Sequence, residues 1–269
     1  MTLTRAMTGL ALGSLTLAGL RQAYSLQVEC HALHVPKLRD AVRVVQLTDL
    51  HFGQFIRRAS VRGWVNAALA QTPDLIVITG DLLDARGGTP RSELLAELAR
   101  LRAPLGVWAT WGNHDHRCLG DRLPQFREEL GRVGVRVLVN EGARVRGDLF
   151  VAGVDDLLTA RPDVTRALQG RPSDSAALLL SHHPNVSPGA RDDVQLTLYG
   201  HTHGGQITPP GVRFLVRHTP FGARFFAGFT PSPSLGYVSR GLGVTFIPLR
   251  LGSAPELTVL DLAPLVEGD

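Results

Sequence analysis

Residues 75–81 read LIVITGD. Five consecutive apolar or β-branched side chains, with no polar alternation, suit a strand buried on both faces, as in a parallel sheet covered on each side. The run stops at Gly80-Asp81, a flexible residue followed by a carboxylate. The same pattern recurs on either side. Upstream, VRVVQLT (42–48) is a β-branched run ending at Asp49-Leu50-His51. Downstream, residues 105–110 read as a third strand that leads into Gly112-Asn113-His114-Asp115. Helical patterns separate these strands. Ser60 is placed to cap a helix that carries Val61, Trp64, Val65, Ala68 and Leu69 on one face. Thr89-Pro90 opens a second helix, with Thr as cap and Pro in the first turn, running to about Arg102. The order β-α-β-α-β predicts parallel strands joined by right-handed crossovers. Functional residues of such sheets lie just beyond the carboxyl ends of the strands.

The second half has a different texture. Residues 136–139, 143–146 and 149–154 read as short strands separated by turns. Residues 176–180 form an apolar strand followed by Ser181-His182-His183-Pro184, and 194–199 a strand followed by Gly200-His201-Thr202-His203. Residues 236–239 and 256–261 are also strand-like. Together they read as a second, mixed sheet packed on the first. The expected class is α/β, with two mixed β-sheets packed as a sandwich flanked by helices.

Composition bounds the partners. The chain has 269 residues, 44% of them hydrophobic, enough for one sizeable core. Net charge is +4, and Lys37 is the only lysine. The arginines are scattered and aromatics make up only 6%, so no basic patch interleaved with stacking rings points to nucleic acid. Cys30 and Cys118 lack metal-ligand spacing and are expected as small buried residues. Residues 6–20 (AMTGLALGSLTLAGL) carry no charge, and Arg5 and Arg21 flank them. As a helix this run spans roughly 22 Å, short of the ~30 Å hydrocarbon core of a bilayer. The expectation is a hydrophobic signal or membrane anchor over 1–23 and one domain over 24–269, with the protein membrane-associated or exported. A twin-arginine pair is absent from this region, and Arg21 sits where a small residue would be wanted for a cut after Ala23.

Asp49, His51, Asp81, Asn113, His182, His201 and His203 make a mixed nitrogen and oxygen donor set without thiolate. Such a set suits manganese, iron, zinc, cobalt or magnesium in five- or six-fold coordination. Seven side chains are too many for one ion and match two ions that share a carboxylate. Two ions about 3.5–4 Å apart clamp a phosphoryl group and activate water. Each fragment is common by itself. The ordered series at successive strand ends is not.

The series Asp-x-His, Gly-Asp-x-x-Asp, Gly-Asn-His-Asp, His and Gly-His-x-His resembles the signature of the calcineurin-like metallophosphoesterase superfamily, over residues from about 40 to about 262. GHTHGGQ (200–206), YVSRGLG (237–243) and PLRLGSAPEL (248–257) further resemble its bacterial YkuE/YaeI-like subgroup. That subgroup contains phosphodiesterases, and some of its relatives hydrolyse UDP-2,3-diacylglucosamine. The resemblance implies that Asp49, His51 and His203 hold a first divalent ion, that Asn113, His182 and His201 hold a second, and that Asp81 bridges them. Manganese is the first expectation for both ions. The same resemblance makes His114 the group that faces the phosphoryl and protonates the leaving oxygen, and Asp84 the carboxylate that orients His114. It favours His182 over His183, because the ligand closely follows the strand, two residues before Pro184.

The implied activity is hydrolysis of a phosphodiester or pyrophosphate bond in a phosphorylated small molecule or a membrane-associated, lipid-linked substrate. A nuclease with the same metal core is the nearest alternative enzyme. An inactive scaffold of the same fold is the non-enzymatic one, disfavoured because His114 and all seven ligands are present. The phenylalanines 214, 221, 225, 226 and 229 are read as core beneath a long loop, in preference to a lip for acyl chains. Asp115, Asp155 and Asp156 are read as structural, and His116 as an exposed loop residue. His31, His34 and His218 have no assigned partner.

Overall fold

Leu75–Thr79 lies inside a six-stranded sheet, flanked on both edges by parallel neighbours. A computed structural model describes residues 13–84, 90–186, 193–208, 225–230 and 235–265. The first sheet runs in the order β1 (Gln27–Val35), β12 (Glu256–Pro264), β2 (Val42–Leu47), β3 (Leu75–Thr79), β4 (Val107–Thr110) and β5 (Val135–Val137). Strands β2 to β5 are parallel, and only the β12–β2 pair is antiparallel. The second sheet runs β10 (Gly228–Thr230), β11 (Gly236–Val238), β9 (Leu196–Tyr199), β8 (Ala176–Leu180), β7 (Leu149–Gly153) and β6 (Glu141–Arg146). It is parallel through β11, β9, β8 and β7 and antiparallel at both edges. Both sheets are mixed, as expected.

The side-chain alternation of strands divides each one between two cores. Val45, Leu47, Ile76, Ile78, Val107 and Ala109 face helices α2 (Arg58–Ala70), α3 (Arg91–Leu98) and α5 (Leu123–Arg132). Val44, Leu75, Val77 and Trp108 point the other way, onto Leu178, Leu180, Leu196 and Leu198 of the second sheet. The outer face of that sheet, with Phe150, Ala152, Ala177 and Leu179, packs under α6 (Val164–Ala167). Continuous apolar runs such as LIVIT are therefore the mark of strands covered on both faces. Buried Gln46 ties the sheets together: its amide donates to Thr79 Oγ1 (2.8 Å) and to Tyr199 O (2.9 Å).

Some expectations need correction. Residues 136–139 and 256–261 belong to the first sheet, as β5 and β12, and not to the second. Alternating apolar residues reveal a strand but not its partner. Here the pairing follows from the loop at 240–243, which turns the chain back antiparallel beside β2. Ser60 lies inside α2, whose N-cap is Arg57 with no side-chain capping bond. Helix α3 stops at Leu98 and starts after Pro90, while Thr89 lies outside the described residues. Strands β1 and β10, helix α5, and the short helix α4 (Asn113–Leu119) that follows β4 were not anticipated. Cys30 is exposed, and Cys118 is partly buried.

Residues 13–22 are helical (α1), and most of their side chains are exposed. The end of α1 docks on the segment around Arg250: Arg250 N donates to Gly19 O (3.1 Å), and Gly252 N to Gln22 Oε1 (2.9 Å). Among the described residues, no helix is long and apolar enough to cross a membrane. Phe214, Phe221 and His218 lie outside the described residues.

Candidate metal centre

The carboxyl ends of β2, β3 and β4 from one sheet meet those of β8 and β9 from the other at a single edge of the sandwich. Asp49 and His51 follow β2, Asp81 follows β3, Asn113 follows β4, His182 follows β8, and His201 and His203 follow β9. The connecting loops remain hydrogen-bonded to one another. Asp49 N donates to Gly80 O (3.1 Å), His51 N to Asp81 O (3.0 Å) and Gly200 N to His182 O (3.0 Å).

The backbone is strained here. Ten described non-glycine residues have positive φ, and Asp49, His51, Asp81, His201 and His203 are five of them, with φ between 46° and 72°. Left-handed backbone at non-glycine residues costs energy and collects at functional sites. Two glycines make the crowding feasible. A Cβ on Gly112 would overlap Asp81 Oδ1, and one on Gly200 would overlap Thr48 Oγ1.

Six of the seven side chains fall into two groups. In the first, His51 Nε2 and His203 Nε2 are 3.0 Å apart, and Asp49 Oδ1 lies 3.4 Å from His203 Nε2 and 4.0 Å from His51 Nε2. In the second, His182 Nε2 lies 3.2 Å from His201 Nδ1 and 3.2 Å from Asp81 Oδ2. Asp81 Oδ2 is also 3.5 Å from His51 Nε2. Asp81 Oδ2 thus lies within 3.5 Å of a ring nitrogen in each group, while Oδ1 accepts the His114 backbone N–H (2.8 Å). His182 is the histidine that enters the group: its Nδ1 faces Thr79 O at 2.8 Å, which leaves Nε2 as the ligand atom. His183 instead accepts the Asn185 N–H at Nδ1 (3.2 Å).

These residues fit two metal ions on structural grounds. Imidazole nitrogens and carboxylate oxygens converge at 3.0–3.5 Å, contacts that a proton or a metal cation must bridge. Asn113 Oδ1 is buried without a hydrogen-bond partner, which is costly unless a ligand completes it. Electrostatics point the same way. Burial pulls His182 down, but Asp81 and Asp49 push it up to about 10, so a proton does there what a cation would do. Burial, opposed by His182 and reinforced by Asp81, pushes Asp49 up to about 6. Burial takes His51 down to about 3 and holds His203 well below the usual histidine range. Both shifts favour the neutral ring, the form in which an imidazole binds a metal.

A family model for the calcineurin-like phosphoesterases matches residues 42–205. The chain belongs to that family. It is 31% identical to the uncharacterized metallophosphoesterase YkuE of Bacillus subtilis, over 94% of this chain and 93% of that one. It is 32% identical to a bovine transmembrane protein with a metallophosphoesterase domain, over 89% of this chain and 57% of that one, so it spans little more than half of that relative. Among solved structures, a 5'-nucleotidase precursor from Thermus thermophilus is similar over 83% of this chain and 54% of its own, with 16% identity and a TM-score of 0.48.

In this calcineurin-like phosphoesterase, His51, Asp81, Asn113, His114, His201 and His203 line a cavity of about 130 Å³. Its rim carries Arg117, Leu158, Thr245 and Phe246. The His114 ring stands edge-on to His51, with centroids 4.6 Å apart. Its Nδ1 is buried without a partner, so no described hydrogen bond at that atom joins it to Asp84. Asp84 is buried, and its N–H donates to Phe52 O (3.0 Å).

The neighbouring acids are structural. Asp115 accepts N–H bonds from Leu82 (2.9 Å), Leu83 (3.1 Å) and Gly112 (3.0 Å), and so holds the β3 and β4 loops together. Asp156 collects Leu158 N, Thr159 N and Thr159 Oγ1. His116 is not an exposed loop residue. It sits in α4 and pairs with Asp155 at 2.7 Å. His31 finds Tyr237 OH at 3.0 Å. Sequence reasoning also missed Thr48, whose Oγ1 lies 2.9 Å from Asp49 Oδ2. Its place beside the Asp-x-His was the one available signal.

Proposed function

We propose that this protein hydrolyses phosphodiester or pyrophosphate bonds with two divalent ions, manganese being the first choice, acting on a membrane-associated or lipid-linked substrate. The observation that supports the chemistry best is the pair of His/Asp groups sharing Asp81 Oδ2 at the bottom of a cavity. Asp49, His51 and His203 hold one ion, Asn113, His182 and His201 the other, and Asp81 both. When bound, such ions stabilise a phosphoryl group and activate water. The His114 ring, at the cavity wall, donates a proton to the leaving oxygen. Asp84, buried three residues after Asp81, is assigned the orienting of His114 on the family resemblance. Arg117 is exposed at the rim and offers a cation to a second anionic group of the substrate.

The rim supports the lipid-linked part of the reading. Leu158 and Phe246 border the cavity with 44% and 49% of their surface exposed, and Ile247 is 41% exposed. Helix α1 exposes Leu15, Leu17 and Leu20 and is fastened to the 249–252 segment, a few residues from Phe246. Exposed apolar side chains thus occur both at the cavity rim and on the helix formed by the end of the uncharged N-terminal run. Burial of such side chains in lipid contributes about 25 cal/mol per Å². The membrane part of the reading also draws on a relative named as a transmembrane protein, of which this chain spans 57%.

The test is a turnover assay of manganese-loaded protein on a chromogenic phosphodiester, a monoester, UDP-2,3-diacylglucosamine and single-stranded DNA, with flotation on anionic lipid vesicles alongside. Turnover of the diester or the UDP-linked lipid, together with flotation, is expected. Cleavage of DNA alone would make the protein a nuclease. No turnover of any substrate by a fully loaded protein would leave a scaffold.

A further inference from the structure

Arg250, from the PLRLG stretch, is among the largest fully buried side chains of the described residues. Buried arginines ordinarily meet a carboxylate. Every described hydrogen bond of Arg250 ends instead on a backbone carbonyl or on the His203 ring. Nε donates to Gly243 O (3.0 Å), and Nη1 to Ser253 O (3.1 Å) and His203 O (3.3 Å). Nη2 lies 2.9 Å from Arg240 O, 3.0 Å from Gly241 O, 2.6 Å from Gly243 O and 3.2 Å from His203 Nδ1. Ser253 Oγ donates to the same His203 carbonyl (2.6 Å).

These acceptors belong to the segments that carry the first group of ligands. The 240–243 loop continues beyond the guanidinium to hold the Asp49 strand end: Leu242 N donates to Thr48 O (3.0 Å) and Gly243 N to Asp49 O (2.7 Å). His203 is bound through its carbonyl and approached at the ring nitrogen opposite Nε2. Its backbone is left-handed, with φ 52°, a conformation that neighbours must hold in place. No described bond of Arg250 reaches Asp81, Asn113, His182 or His201.

We propose that Arg250 is a positioning residue for one metal ion, the ion of Asp49, His51 and His203, and not for the other. It fixes the distance between the Asp49 and His203 backbones through the carbonyls of 203, 240, 241 and 243. A planar guanidinium with five donors can span carbonyls of three segments at once. A lysine ammonium, with three donors at one point, cannot.

The proposal rests on the two-ion reading, and the experiment separates the two. Manganese content and affinity are measured by elemental analysis and titration for the wild type, Arg250→Lys, Arg250→Gln, Asn113→Ala and the Arg250→Gln/Asn113→Ala double variant, with circular dichroism to monitor the fold. The wild type is expected to hold about two ions. Each single variant should hold about one, with the weakened site down by about 10–100-fold in affinity, and the double variant close to none. Lysine should not rescue. If the wild type holds fewer than two ions, the two-ion reading falls and this proposal with it. If the wild type holds two and both Arg250 variants keep two at wild-type affinity, Arg250 has no positioning role. A double variant that retains about one ion places Arg250 at the wrong site. Arg250 variants that fail to fold with metal present make the residue a support of the fold alone and overturn the proposal.

Discussion

Glu97 and Asp81 are both carboxylates with almost no exposed surface, at 1% and 2%. The protein treats them in opposite ways. Glu97 lies between α2 and α3, where three arginines saturate it. Oε1 accepts from Arg58 Nε (2.7 Å) and Arg62 Nη2 (2.8 Å), and Oε2 from Arg100 Nη1 (2.9 Å). Asp81 receives one backbone N–H on Oδ1, while Oδ2 faces imidazole nitrogens. Beside it Asn113 Oδ1 has no partner at all. A carboxylate closed by fixed cations contributes to stability. One left open among imidazole nitrogens keeps its place for something the chain does not itself supply. Substitutions at the two places should therefore be read in different measurements.

The largest effect is expected at the open one. Asp81→Asn should lower metal content from about two ions per chain to well under one, because both groups lose their common oxygen. Elemental analysis after manganese reconstitution decides it, and full occupancy in the variant would break the bridging assignment. Chelation of the wild type should also lower its melting temperature, restored in a metal-concentration-dependent way, since an ion that binds only the folded state stabilises it by mass action.

Next comes His114→Ala. It should keep both ions and lose roughly 10²–10⁴-fold in turnover, the range of a general acid. Asp84→Asn should move turnover in the same direction, more weakly. Wild-type phosphodiester hydrolysis by His114→Ala would remove that histidine from the chemistry.

Glu97→Gln should do the reverse: little change in metal content or turnover, and a loss of stability on the order of 1–3 kcal/mol, kept modest because the arginines are about half exposed. The hydrogen bond from Arg62, with those of Arg58 and Arg100 outweighing burial, holds Glu97 down at about 2, against an ordinary 4.5. The folded state thus binds fewer protons than the unfolded state in this range. The contribution is present in full above the ordinary value and is lost as pH falls from about 4.5 towards about 2. In denaturant melts of wild type and variant, the gap at neutral pH should narrow near pH 3. A gap that stays constant with pH would show that the arginines are not acting on an ionised Glu97.

The smallest effect is expected for Arg39→Ala. Its partner Asp174 sits at 2.6 Å, but both side chains are more than 60% exposed. Such a pair contributes about 0–1 kcal/mol, and less at high salt. A larger loss would mean that bond count alone, without burial, sets stability here.

The sequence by itself determined the parallel β2, β3, β4 unit and the polar residues that gather at its strand ends, because continuous apolar strands and polar residues at their carboxyl ends are local patterns. The family resemblance, carried by the same motifs, also favoured His182 over His183. Tertiary structure alone decided the rest, in each case through contacts between segments distant in sequence. Alternation along β12 cannot reveal that it pairs with β2 in the first sheet. Only the folded chain shows Asp81 Oδ2 near a ring nitrogen of each group and the His114 N–H on Oδ1. Arg250, written as one arginine in the PLRLG stretch, joins carbonyls at 203, 240, 241, 243 and 253. A side chain that acts on backbone groups leaves no pattern of partner residues in the sequence, since every residue type offers the same carbonyl.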